Sequence, residues 1–307
     1  MYINETTIQN VGAAIQRHLV SIPAFRKTSA SGRRVFSTDL ALIALGVRTG
    51  HLVDAIAPSD LVRAFSQLLE AIRKEFSIFN NVLLLHDESA EQVFFVNTPL
   101  LRQRACLLGI TRSLCDNSVH FLRLADTPIL LPDVPDELRA LVSVLIAQLP
   151  ETSTDHSNTA AVALPLALAL PSVACTPQTL VPLAGIILEY PLAYVPADNP
   201  SPGTSTQTFL AGEPVDVYRC LLKATGTSHN DRDASSPSVL PHSLLQFSCP
   251  ASAGEMHPCL APERLIACLG AHFTARLEGE PSDRVDGQGQ LMVEVKHTRE
   301  VFDRLAL

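Results

Sequence analysis

Tryptophan is absent from this chain of 307 residues, and aromatic side chains make up only 5% of it. Hydrophobic residues nevertheless reach 47%, so a sizeable core is expected, built mainly from Leu, Val, Ile and Ala. Charged residues are also scarce, at 18% against about a quarter in an ordinary soluble domain. Positive charge is in deficit. The net charge is −8, which argues against a nucleic-acid partner, because binding there depends on neutralising phosphates. The seven cysteines contain no CxxC pair, and no apolar run follows Met1. Reduced thiols in a cytoplasmic protein are the natural expectation.

Catalytic signatures are missing as well. There is no GxSxG elbow, no P-loop and no GxGxxG, so neither nucleophilic catalysis nor a phosphate cradle is indicated, and the sequence leaves any cofactor unknown. Metal ligands can be gathered from Cys249, His257, Cys259, Cys268 and His272, with Cys268 and His272 four apart on one helix face. They lack the paired short spacing of a structural zinc site, so no metal is assigned. Residues 160–188 carry no charge and are long enough to span a bilayer, but Pro165, Pro171, Pro177 and Pro182 punctuate them. A strand, a loop and a helix start fit better than a membrane span.

What charge there is lies unevenly. Residues 1–75 hold nine Lys/Arg and six Asp/Glu, and no acid occurs between Thr6 and Thr38. That bias resembles a mitochondrial presequence, although Glu5 and Pro23 stand against one; import is the minority reading and a basic N-terminal helix and loop over 1–38 the preferred one. Residues 39–307 would then form the α/β domain, with mobile inserts near 151–159, 196–208 and 226–238, all rich in Pro, Ser, Thr, Asn and Asp.

Within this frame Ile8, Val11, Ile15 and Leu19 follow helical spacing, and residues 23–37 read as a basic loop. Ser59 is a candidate N-cap for a helix carrying Leu61, Phe65, Leu68, Leu69 and Ile72. The apolar run VLLLH, ending at His86, reads as a buried strand. Ser89 with Gln92 resembles a capping box that would open a helix after it. Residues 106–112 and 118–124 read as two strands around a turn at Cys115, Asp116 and Asn117, and 129–131 as a third strand. A helix over 135–149 faces Leu138, Leu141, Val142, Leu145 and Leu149 inward. Further strands are expected over 162–170, with Pro165 demoting it to an edge, and over 190–195, 215–223, 244–248 and 291–295; helices are expected over 176–189 and 262–277. Alternation of strands and helices predicts one α/β domain with a mixed, mainly buried sheet, helices on both faces and long disordered loops.

Four segments, VLLLHDESA (82–90), LRALVSVLIAQL (138–149), GIILEYPLAY (185–194) and LLQFSCP (244–250), together resemble the eukaryotic family of the human chromosome 1 open reading frame 74 protein. The likeness runs from about Ser59 onward and is most specific over 185–194. It implies a shared fold and no chemistry, since the family has no established activity. One departure is Glu189, which stands where the resemblance implies glycine.

The residues best placed for chemistry are Asp87 and Asp133, carboxylates at the ends of expected strands, where ligands bind in open α/β sheets. They suit a divalent ion or an acid and base pair. His86, Glu88 and Tyr190 are candidate ligand-binding neighbours. The bland alternatives are helix capping by both aspartates, a helix stop at Tyr190–Pro191 and a solvated Glu189. Three function classes remain: a non-catalytic interaction or scaffold protein, which is preferred; a small-molecule or phosphoester enzyme using Asp87 and Asp133; and an organelle- or membrane-linked accessory factor. A protein partner is open, with no membrane and no nucleic acid expected.

Overall fold

The structure, a computed structural model, describes residues 3–88, 90–109, 119–124, 128–149, 165–171, 175–196, 212–225, 240–278 and 290–302. The proposed inserts and the turn at 115–117 lie outside these, Pro196 excepted. The chain divides into two compact units, one of residues 7–110 and 136–175, the other of 1–6, 111–135 and 176–307. Both follow the expected α/β class, with parallel and antiparallel pairing mixed in one sheet of each.

The first unit holds helices α1 (Glu5–Ser21, from Thr7 on), α2 (Ala30–Ala44), α3 (Leu61–Glu75), α4 (Thr98–Gly109) and α5 (Asp136–Gln148). Its strands are β1 (Gly50–Leu52), β2 (Val82–Asp87), β3 (Gln92–Asn97) and, after two strands of the other unit, β6 (Ala167–Ala169). Their order is β1-β3-β2-β6, antiparallel except for the parallel β2–β6 pair. Among the described residues β6 stands at the sheet edge, and Pro165 lies just ahead of it, outside the strand. The α1 and α3 stripes are buried as their spacing predicts. The centre is more aromatic than composition suggests. Phe25, Phe36, Phe65, Phe79 and Phe95 are all buried, and Phe65 packs on Phe25, Phe36 and Phe95 with ring centroids 5.1–5.5 Å apart. Few aromatics therefore fill much of this core, because five of the twelve phenylalanines converge on it.

Several local expectations fail here for identifiable reasons. Residues 30–37 belong to helix α2 where a basic loop was expected: Ser29 caps the helix by accepting a hydrogen bond from the Gly32 amide at 3.0 Å, and the helix runs on to Ala44. The cap of α3 is Asp60, one residue beyond Ser59, accepting from the Arg63 amide at 3.0 Å. Gln92 opens strand β3, not a helix, so the chain after β2 turns back as a hairpin. Residues 106–109 belong to α4 rather than to a strand. Arg73 of α3 ties the sheet to the helix layer, donating to the carbonyls of Phe79, Val82 and Pro165.

The second unit contains β4 (His120–Arg123), β5 (Ile129–Leu131) and β7 (Leu192–Val195) in the order β5-β4-β7, together with β8 (Pro214–Ala224), β9 (His242–Pro250) and β10 (Leu291–Val301) in the antiparallel order β10-β8-β9. Helices α6 (Pro177–Ile187), α7 (Ala251–Met256) and α8 (Pro262–Glu278) complete it. α6 starts with a capping box between Thr176 and Thr179. It packs on β7 at Gly185, where an added Cβ would come within 2.9 Å of the Ala193 Cβ. Among the described residues no helix is long and apolar enough to cross a membrane.

Candidate functional site

Asp87, His86 and Glu88 lie in the first unit, and Asp133 and Tyr190 in the second, so the structure does not assemble the expected group within either unit. Asp87 ends β2, an interior strand, and is 3% exposed. No helix follows for it to cap; its cross-strand neighbour is Gln92 of the hairpin. The thiol of Cys175 is pushed above its usual value by burial and by the charge of Asp87. His86 is half-buried and its carbonyl accepts from the Leu170 amide at 2.8 Å, while Glu88 is exposed. Asp133 is exposed in the bend between β5 and α5. Tyr190 packs, its ring stacked on Phe247 with centroids 5.9 Å apart.

The strongest polar constellations are ones the sequence did not single out. Glu189 is buried, contrary to its expected solvation, and follows α6 at φ +66°. The amide of Glu189 donates to the Ile186 carbonyl and that of Tyr190 to the Gly185 carbonyl, the paired bonds of a left-handed helix stop that ordinarily takes glycine. The reason a carboxylate stands there is visible on α8. Arg276 Nη1 is 2.5 Å and His272 Nε2 3.0 Å from Glu189 Oε1, one helical turn apart.

Asp216 of β8 repeats the arrangement in the sheet β10-β8-β9. It is 1% exposed and receives Arg299 through Nε (2.9 Å) and Nη2 (3.2 Å), together with His297 Nε2 (2.9 Å), both from β10. Arg299 also reaches Glu255 of α7 at 3.1 Å. Burial alone would raise the Asp216 pKa, but the hydrogen bonds from Arg299 and His297, with their charges, outweigh it and hold it below the ordinary aspartate value. Beside this row, Tyr218 is sandwiched between Phe247 (4.8 Å) and His297 (5.1 Å), and its fully buried hydroxyl has no hydrogen-bond partner among the described residues. Cys249, directly across from Asp216, is driven by burial and by the charges of Asp216 and Cys259 to a pKa of about 12. In the first unit Asp39 pairs with Arg48 at 2.5 Å, with His51 3.9 Å from its other oxygen. Three buried carboxylates thus share one design, an arginine and a histidine on each. Among the described residues no three His, Cys, Asp or Glu side chains gather as a metal site.

At Asp216 the arginine and histidine hold the carboxylate as an anion and do not make a proton carrier of it. A general acid or base needs a pKa near the working pH, and a guanidinium against a carboxylate moves it away. A thiol at about 12 is likewise a poor nucleophile at neutral pH.

A different feature of the same sheet is open. β10 pairs with β8 along all eleven residues and stands at the sheet edge, with no strand on its other side among the described residues. Lys296, Thr298, Arg299 and Val301 are exposed along it. The other edges are blunted: β1, β5 and β6 have three residues each and β7 four, while β9 is mostly buried. β10 contains no proline and no register shift against β8.

No family model matches the chain, and no curated protein or solved structure matches it either. The family resemblance therefore rests on the four segments that suggested it.

Proposed function

We propose that this chain is a non-catalytic interaction protein whose docking element is the open edge of β10. The observation that carries the reading is eleven consecutive strand residues whose outer row of backbone donors and acceptors faces no further strand among the described residues. Such an edge supplies main-chain hydrogen bonds to an added strand, and alternate side chains set its specificity. The Asp216–Arg299–His297 cluster supports this role by anchoring β10 to β8 from the buried face. Membership of the family named above would add a shared fold to this reading and no activity.

A photo-crosslinking residue at exposed Thr298 tests the proposal, with exposed Val20 of α1 as the control position. A discrete product from position 298 and none from position 20 is expected in cells making the protein. Equal yields from both positions, or none from 298, overturn it.

A second reading, an enzyme acting on a small molecule or phosphoester through Asp87 and Asp133, keeps one supporting observation: Asp87 is buried at the carboxyl end of an interior strand. Thermal-shift screening of wild type and Asp87→Asn against metals and metabolites addresses it. A stabilising compound that loses its effect in the variant would favour the enzyme; compounds that shift both proteins alike would not.

A further inference from the structure

Resting on the edge-docking reading, we infer that the strand completing β10 is β10 of a second copy, running antiparallel about a two-fold axis through Val295. Opposed residues then project on the same face of the joined sheet, and strand alternation puts Met292, Glu294, Lys296 and Thr298 on one face and Val293, Val295 and His297 on the other. In this register Glu294 lies opposite Lys296 of the other copy, and symmetry makes the contact twice. Val295 meets itself, Val293 meets His297, and Met292 meets Thr298. The overlap runs over 291–299 in each copy.

Competing registers are worse. A centre at Glu294 or Lys296 opposes like charges directly, and a centre at His297 opposes Glu294 to Glu300. A centre at Thr298 regains Lys296–Glu300 pairs but shortens the overlap to 295–301 and sets Arg299 against His297. The chosen register combines length with charge complementarity, and opposite charges directly across strands stabilise while like charges destabilise. Side-chain order already favours it. Glu294 is held 2.7 Å from Lys223 of β8 and 3.7 Å from Lys296, so its carboxylate is fixed as an anion on this face. An isologous contact of this kind closes at two copies and leaves no further β10 edge, whereas a head-to-tail contact would propagate. The two three-stranded sheets become one of six strands.

The experiment uses the full chain in sedimentation velocity, with Glu294→Lys, Lys296→Glu, an equimolar mixture of these two, and the double variant. Wild type should sediment as a dimer. Each single variant turns two attractive contacts into two repulsive ones, and its self-association should weaken about tenfold or more. The mixture should recover a heterodimer, because one chain then carries lysine and the other glutamate at both positions. The double variant should recover the homodimer. Recovery also shows that the single variants are folded. A monomeric wild type at its highest soluble concentration, single variants that dimerise like wild type, or a mixture that stays monomeric each overturns the inference. Crosslinking at Thr298 separates this from the broader reading: a product of two chain masses fits both, while a product with a different protein keeps β10 as the docking edge and rejects self-pairing.

Discussion

Glu189 and His272 meet at 3.0 Å across two elements, with the glutamate in a backbone conformation that glycine would adopt without strain. Arg276 reaches the same carboxylate oxygen, and both carboxylate and guanidinium are largely withdrawn from solvent. The ion contact and the backbone therefore oppose each other at one residue. Glu189→Gly relieves roughly 1 kcal/mol of left-handed strain, but stripping a buried cation of its carboxylate costs about 3–5 kcal/mol. A net loss of roughly 2–4 kcal/mol in urea unfolding is expected. Adding Arg276→Met should restore part of it, and a Glu189→Gly variant as stable as wild type would show that the ion contact contributes no more than the roughly 1 kcal/mol of strain it opposes.

The close approach of α6 to β7 gives a second test. Gly185→Ala places a methyl group 2.9 Å from Ala193 Cβ and 3.3 Å from its Cα, so the helix must shift, at about 1–3 kcal/mol. Ala193→Gly removes the opposing methyl. The double variant should be more stable than the sum of the two single losses predicts, and strict additivity in the cycle would mean the two residues do not touch.

Stability toward acid follows from Asp216. Its carboxyl is held below the ordinary aspartate value in the fold, so its contribution is fully present above the unfolded value, about 4, and drains away as pH falls through the folded value. Asp216→Asn lacks this ionisation. The gap between wild type and variant in urea midpoint should be constant from pH 7 to about 5 and narrow below about 4. Curves that stay parallel into acid would remove Asp216 from the account.

Two tyrosines in the second unit should respond differently to loss of their hydroxyls. Tyr194 donates to the Ser248 carbonyl at 2.9 Å, and Tyr194→Phe should cost about 1–2 kcal/mol. The Tyr218 hydroxyl is buried without a partner among the described residues, so Tyr218→Phe should be neutral or stabilising by up to about 1 kcal/mol. A large loss on Tyr218→Phe, measured by thermal or urea unfolding, would reveal a bond that the Tyr218 hydroxyl makes outside those residues.

Long elements with regular burial were legible in the sequence: α1, α3, α5, β2 and α8 sit where their apolar spacing places them. α2 was hidden because Arg33, Arg34 and flanking serines resemble loop composition, although Ser29 carried the capping signal. The hairpin between β2 and β3 was misread because Gln92 occupies the position a capping box needs while in fact opening a strand. Residues 106–109 show that a short apolar run does not choose between helix and strand. The ion clusters were not legible because their members come from distant segments: Glu189 and His272 are 83 residues apart, and Arg299 is 83 from Asp216. Only the departure from glycine at Glu189 hinted at one of them. Asp87 remains where strand logic put it, but its partner Asp133 belongs to the other unit.

The division of the chain has a consequence for how it emerges from the ribosome. Every segment of the first unit has been translated once Cys175 is added. β4 and β5 are made before β6 but must wait for β7 to complete their own sheet, and β8 gains its last neighbour only when β10 appears. Vectorial synthesis thus allows the phenylalanine-centred unit to settle first and leaves the β8–β10 layer as the late, exposed and aggregation-sensitive stage of folding.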